Sequence, residues 1–270
     1  MKLMHSPFDI MAETYDADFT NTTIGQLQRK QVWDLLRPLL DSYTNPLKIL
    51  EINCGTGEDA VELEGAGHDV TATDSSEKMV EKARQKAAAH GESQIVFRVC
   101  RFDQLSQQFS HQRFDLVISN FGGLNCIDQA EMETLSIQLS ALLTEQGKLF
   151  FVIMGSNCLW EIFYYIFKGR AGTAFRRQRK HVRFRSGEAE IPVFYHSPGR
   201  VKKIFHSLYS CCYSRPVGLF IPPSYLEKQF QKRKRWLRGL VRLERKFSGY
   251  PALSNFADHY CIVFQKKGSL

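Results

Sequence analysis

Between Lys48 and Met154, short apolar runs alternate with helix-period segments, and few folds admit that pattern. Lys48-Ile-Leu-Glu-Ile, Asp69-Val-Thr-Ala-Thr, Gln94 to Cys100, Phe114-Asp-Leu-Val-Ile-Ser and Lys148 to Met154 read as strands. Helices fill the intervals, from Asp59, from Ser76 to His90 and from Glu131 to Leu143. Strands separated by helices cannot pair as hairpins, so they lie parallel, and helices cover both faces of the sheet. The expected class is α/β, with a doubly wound, mostly parallel sheet.

The flanks read differently. Phe8, Met11 and Tyr15, then Ile24, Leu27, Val32, Leu35, Leu36 and Leu39, fall at helical spacing up to Pro46. After Gly155, Val182-Arg-Phe and Ile191-Pro-Val-Phe-Tyr read as two strands around a turn at Ser186-Gly187. Pro198 to Leu208 reads as a helix, Pro216 to Pro223 as strand and turn, Leu226 to Phe247 as a basic helix, and Asp258 to Phe264 as a closing strand. Leu149 to Phe167 is apolar, but Gly155, Ser156, Asn157 and Glu161 interrupt it, so it reads as strand, loop and helix rather than a membrane span. Met1 to Tyr15 lacks the apolar core of a signal peptide.

A hydrophobic content of 43% with 24% charged residues excludes global disorder. The seven cysteines are odd in number and include no CxxC pair, so free thiols in a reducing cytoplasm fit better than a disulfide framework or a metal site. The formal net charge of +8 suits an acidic partner or simple solubility.

The most informative stretch is Leu50-Glu-Ile-Asn-Cys-Gly-Thr-Gly-Glu-Asp. A strand enters a glycine turn that opens a helix, and Asp74 ends the next strand. Glycines let backbone approach a ligand closely, and a carboxylate at that strand end accepts hydrogen bonds from ribose hydroxyls. Together they point to an adenosine-containing ligand. Gly55-Thr-Gly-Glu-Asp-Ala also fits a dinucleotide fingerprint, but Glu58 and Asp59 would then repel a diphosphate at the helix start. A sulfonium ligand carries no phosphate and tolerates those acids.

On these residues the sequence resembles the class I S-adenosylmethionine-dependent methyltransferases. The resemblance runs through Glu51-Ile-Asn-Cys-Gly-Thr-Gly, Asp74-Ser-Ser-Glu-Lys-Met, Phe114-Asp-Leu-Val-Ile-Ser-Asn and Leu143-Thr-Glu-Gln-Gly-Lys-Leu, covering residues 8 to 155 and the closing strand. It implies a Rossmann-like, seven-stranded sheet with an inserted acceptor-binding cover, and S-adenosyl-L-methionine as cofactor. By position, Glu51, Gly55 and Gly57, with Asn53 and Thr56 in the same turn, line the methionine part. Asp74 takes the ribose, and Ser75, Met79, Arg101 and Phe102 surround the adenine. Asn120 and Phe121 lie between cofactor and acceptor. Tyr15, in Phe8-Asp-Ile-Met-Ala-Glu-Thr-Tyr-Asp, stands near the sulfonium or merely packs. Two departures are notable: Asn53 replaces the first glycine, and Arg101 stands where an acid often meets the adenine amino group.

The implied organisation is a single domain over 1–270. It divides into an N-terminal helical cap at 1–45, a cofactor-binding core at 46–155, an acceptor-binding insertion at 156–223, and the basic helix with the closing strand at 224–270. Phe163, Tyr164, Tyr165 and Phe167 either line an apolar pocket or form the core of the cover. His196, then His206, are the histidines nearest the expected acceptor region, and neither is assigned as a base, because in-line methyl transfer needs one only for a protonated nucleophile.

The expected function is methylation of a small or medium organic acceptor. RNA methylation and a non-catalytic cofactor-binding partner are the alternatives. Two basic clusters, Arg176 to Arg185 and Lys232 to Phe247, raise weak contact with an anionic membrane surface and, less so, nucleic acid. The helical stripe Trp236, Leu240, Leu243 and Phe247 is expected to pack on the domain. The expected location is cytoplasmic, at most peripheral to a membrane.

Overall fold

A computed structural model describes residues 6–186 and 189–268. In chain order its main helices are α1 (Pro7–Met11), α2 (Thr23–Leu40), α3 (Glu58–Gly65), α4 (Glu77–Ala89), α5 (Leu105–Gln108), α6 (Gln129–Leu142), α7 (Leu159–Phe167), α8 (Ala171–Ala174), α9 (Pro198–Phe205), α10 (Glu227–Phe230) and α11 (Lys234–Phe247). The strands are β1 (Lys48–Ile52), β2 (Asp69–Asp74), β3 (Val96–Val99), β4 (Phe114–Ser119), β5 (Leu143–Met154), β6 (Val182–Ser186), β7 (Ala189–Val193), β8 (Tyr209–Val217) and β9 (His259–Lys266).

Seven strands form one sheet in the order β3-β2-β1-β4-β5-β9-β8, with β9 alone antiparallel to its neighbours. This is the Rossmann-like α/β architecture expected from the sequence. Alternate side chains of one strand feed two cores. In β5, Phe150 and Val152 pack among residues of α2, α3 and α4, while Leu149, Phe151 and Ile153 pack among residues of α5, α6 and α9. Chain order reverses between β1 and β4, and the crevice outside their carboxyl ends is where such sheets receive ligands. Among the described residues no helix is long and apolar enough to cross a membrane.

Two elements differ in extent from their sequence expectation. The strand expected over 216–223 runs instead over Tyr209–Val217. Its first half is an outer-edge segment without apolar alternation, bulged between Cys211 and Tyr213, and the chain turns away at Gly218 with φ 70°. Consequently β8 pairs with β9 in the main sheet. The basic helix is broken into α10 and α11 around the crowded cations Lys232 and Arg233. The α10 carboxylate Glu227 accepts from the backbone N–H groups of Thr23 and Ile24, which fastens α10 to the start of α2. The hairpin β6–β7 forms as expected, while Gly187 of its expected turn lies outside the described residues.

Finally, α11 does not pack by its Trp236–Leu243 stripe. Trp236 is 68% exposed and Leu243 42%, and the helix turns Leu237 and Glu244 inward. The Glu244 carboxylate accepts from the backbone N–H groups of Leu219, Phe220 and Ile221 and from Gln31 Nε2. A fourfold anchor for a buried charge fixes which face points in.

Candidate cofactor site and acceptor cleft

The loop after β1 needs left-handed backbone at three positions: Asn53 (φ 69°), Gly55 (φ 53°) and Gly57 (φ 79°). At Gly57 a Cβ would stand 2.8 Å from the Ala83 Cβ of α4, so only glycine lets the loop close on that helix. Asn53 tolerates its conformation and uses its side chain as well. Its Nδ2 donates to Asn120 O (2.8 Å), and Ser119 Oγ donates to its Oδ1 (2.6 Å). The replaced glycine therefore stitches the β1 loop to the β4 loop.

Asp74 ends β2 with each carboxylate oxygen held by one backbone N–H: Oδ2 by Gly55 (3.0 Å) and Oδ1 by Ser76 (2.9 Å). Each oxygen retains another lone pair for a ligand hydroxyl. Burial raises the Asp74 carboxyl above its ordinary value despite these bonds. Glu51, at the end of β1, is more extreme. It is fully buried, its Oε2 has no hydrogen-bond partner among the described residues, and burial, then Asp59, push its carboxyl well above the glutamate range.

A cavity of about 430 Å³ opens beside the loop, lined by Asn53, Ser75, Cys100, Arg101, Phe102 and Asp103, with Phe8 on the α1 side and Leu135 on α6. Met79 is buried on the first turn of α4, which Ser76 caps. Arg101 is exposed and bonds the neighbouring carboxylate of Asp103 (3.0 Å). Asp103 thus brings an acid to this edge of the cavity, two residues after the position where the sequence lacks one.

The N-terminal segment lies across this loop. Asp9 accepts from Ser76 Oγ at 2.5 Å, tying α1 to the start of α4. Asp16 accepts from Thr56 Oγ1 (2.6 Å) and pairs with Lys86 (3.0 Å). The ring of Tyr15 stands over Gly55, 3.8 Å from where a Cβ would be, and burial pushes its hydroxyl up to about 12. From it an aromatic row continues through Phe19 and Phe121 to His259, with centroid spacings of 5.9, 5.0 and 5.5 Å. Phe121 holds a left-handed φ of 45°, an uncommon strain for an aromatic residue.

Glu58 and Asp59 do not act as the sequence argument assumed. Glu58 pairs with Lys86 (2.8 Å). Asp59 pairs with Arg29 and accepts from Trp33 Nε1 (2.9 Å) and Asn120 Nδ2 (2.9 Å). Burial works against its charge, yet Arg29 and these bonds hold its carboxyl below the usual range. Both acids are neutralised, so neither repels a diphosphate. The polar atoms of Asn120 likewise serve the scaffold, since its Oδ1 accepts from Phe121 N (3.0 Å).

On the β5 and β9 side, His259 Nδ1 lies 3.2 Å from Asp258 Oδ2. Asp258 also accepts from Arg177 (2.6 Å) and Gln28 (3.1 Å). Glu161 of α7 binds Arg176 and Arg177 and lies 3.3 Å from the Tyr225 hydroxyl. Nothing in the sequence pattern marked His259, Gln28 or Arg29. His196 is buried with Nε2 3.1 Å from Ile127 O, and burial lowers its pKa, which makes it part of the scaffold. His206 is exposed after α9. Phe163 and Phe167 are 53% and 87% exposed, so they neither line an enclosed pocket nor form a core.

Most of the chain superimposes on solved methyltransferase structures. The CcbJ methyltransferase of Streptomyces caelestis matches with a TM-score of 0.62 at 15% identity, over 98% of this chain and 99% of that one. A SAM-dependent methyltransferase of Methanosarcina mazei matches at 0.61 and 20%, over 86% and 98%. Magnesium protoporphyrin IX methyltransferase of Synechocystis, with bound SAH, matches at 0.57 and 17%, over 91% and 85%. At such identities the likeness is one of fold. In sequence, residues 49–147 match the family described as Methyltransferase domain. Over those residues the chain is similar to methyltransferase domains, and its fold is that of the class I methyltransferases. Among curated proteins, tRNA 5-carboxymethoxyuridine methyltransferase of Escherichia coli K12 is 36% identical over 87 residues, 32% of this chain and 33% of its own length. Demethylmenaquinone methyltransferase of Clavibacter sepedonicus is 28% identical over 121 residues, 45% and 46%. The matched part therefore spans from a third to under half of these relatives.

Proposed function

We propose that this methyltransferase passes the methyl group of S-adenosylmethionine to a small or medium, partly apolar organic acceptor by direct in-line displacement. The observation that carries the reading is the buried, unpartnered Oε2 of Glu51 at the root of the glycine loop. An orphaned carboxylate in that position calls for a cation, and the methionine ammonium is one. Asp74 supplies the free lone pairs for two ribose hydroxyls. The cradle of Asn53, Gly55, Thr56 and Gly57 holds the methionine part, with the Tyr15 ring above it. The cavity at Ser75, Arg101 and Phe102 takes the adenine.

When bound, the cofactor supplies an electrophilic methyl on a positively charged sulfur. The chain's own task is alignment and exclusion of water. Phe121, braced by Phe19 and Arg29 (5.2 Å from its ring), and Asn120 beneath it form the partition between donor and acceptor. No general base is assigned.

A second reading, a tRNA nucleoside as acceptor, is supported by the 36% identity to the tRNA enzyme and by the net charge of +8. Calorimetry with S-adenosylmethionine, S-adenosylhomocysteine and NAD tests the cofactor. Binding of the first two and not of NAD is expected, and tight NAD binding without response to S-adenosylhomocysteine overturns the reading. Transfer of labelled methyl to small organic acids and phenols, beside unmodified tRNA, then decides the acceptor. A protein that binds the cofactor and labels neither class is a non-catalytic partner.

A further inference from the structure

Two neighbouring helices present apolar side chains to solvent beside unpaired cations. On α7, Phe163, Ile166 and Phe167 are exposed, and exposed Lys168 and Arg170 follow. On α11, Trp236 and Leu243 share one exposed flank, and Arg235, Arg238, Arg242 and Lys246 are exposed around them. The sole acid of α11, Glu244, is buried and engaged by backbone N–H groups. None of these cations forms an ion pair among the described residues. The segment leading into α11 holds α7 beside it: the Trp160 ring contacts Phe230 of α10 edge-on at 5.6 Å, and Tyr225, just ahead of α10, reaches Glu161.

We propose that α7 and α11 together dock the protein on an anionic lipid bilayer. Cations without counter-charges complement a negative leaflet, and apolar side chains beside them gain by leaving water. Aromatic rings also suit stacking on bases, but Ile166 and Leu243 have no ring to stack, and both fit the acyl boundary of a bilayer. The docking stands apart from methyl transfer, since none of these side chains lines the cofactor cavity.

The test is co-sedimentation with vesicles of phosphatidylglycerol and phosphatidylcholine in equal parts, beside pure phosphatidylcholine, in about 0.05 M and about 0.5 M salt. Partition onto the anionic vesicles is expected in low salt, weakened tenfold or more in high salt and absent on the neutral ones. The variant Arg235→Gln/Arg238→Gln/Arg242→Gln lowers partition about a hundredfold. Phe163→Ser/Phe167→Ser and Trp236→Ser/Leu243→Ser each lower it about tenfold. All are surface changes, so thermal unfolding and affinity for S-adenosylhomocysteine stay at wild-type values. No partition in low salt, equal partition onto neutral vesicles, or partition untouched by the arginine variant overturns the proposal. So does binding to mixed RNA that is tighter than binding to the vesicles at the same salt.

Discussion

Replacing Glu51 by Gln tests the cofactor site at its most unusual atom. The Glu51 carboxyl is pushed well above its ordinary value by burial, then by Asp59, with Asp74 adding to the effect, and Oε2 has no partner among the described residues. In the free protein the raised carboxyl holds its proton to a higher pH. A bound ammonium favours the carboxylate, so cofactor binding releases up to about one proton at pH values between the two pKa values. A hydrogen bond to a charged group contributes about 1.5–3 kcal/mol, so Glu51→Gln weakens S-adenosylhomocysteine by roughly tenfold to 150-fold. Calorimetry in two buffers of different ionisation enthalpy reads affinity and proton count together. The variant loses both the affinity and the proton release.

The same shift governs stability. A carboxyl raised in the folded chain contributes stability below its unfolded value, near 4.5, and loses it as pH rises toward the folded one. Free wild-type protein therefore loses stability relative to Glu51→Gln as pH rises from 4.5 upward. Unchanged affinity together with unchanged proton release in a folded Glu51→Gln protein refutes the assignment of the ammonium to this carboxylate.

Three further outcomes follow from the geometry. Asp74→Ala weakens S-adenosylhomocysteine by about tenfold to a hundredfold, and circular dichroism shows it folded; wild-type affinity removes Asp74 from the ribose. Gly57→Ala sets a methyl 2.8 Å from Ala83 Cβ at φ 79° and costs about 1–3 kcal/mol in urea unfolding, while a neutral result means the loop yields freely. Glu244→Ala leaves three backbone N–H groups without their acceptor and costs on the order of 3 kcal/mol or more, and an unchanged urea midpoint shows that water replaces the carboxylate without loss.

The sequence by itself determined what depends on local order. Alternating periods marked β1 through β5 and the helices α3, α4 and α6, and the spacing of Glu51, Gly55, Gly57 and Asp74 marked the glycine turn and the acid beside it, because a turn into a helix and a strand-end acid are short-range requirements. Asn53 was legible as a residue able to take a left-handed φ, but not as the bridge to Asn120 and Ser119, which lie across the sheet. Tertiary structure decided the rest. Asp59 looked like a ligand-facing acid until Arg29, 30 residues earlier, folded against it. The edge strand β8 had no apolar alternation to reveal it, since its partner β9 supplies the pairing. The helical stripe of Trp236 and Leu243 read as an inward face because it is the more apolar one. The outcome was set instead by Glu244 meeting Gln31 across 213 residues and by three N–H groups of the loop after β8. A periodic pattern says which side chains share a face, and only the packed chain decides which face is buried, because the partners that satisfy a buried charge come from distant segments.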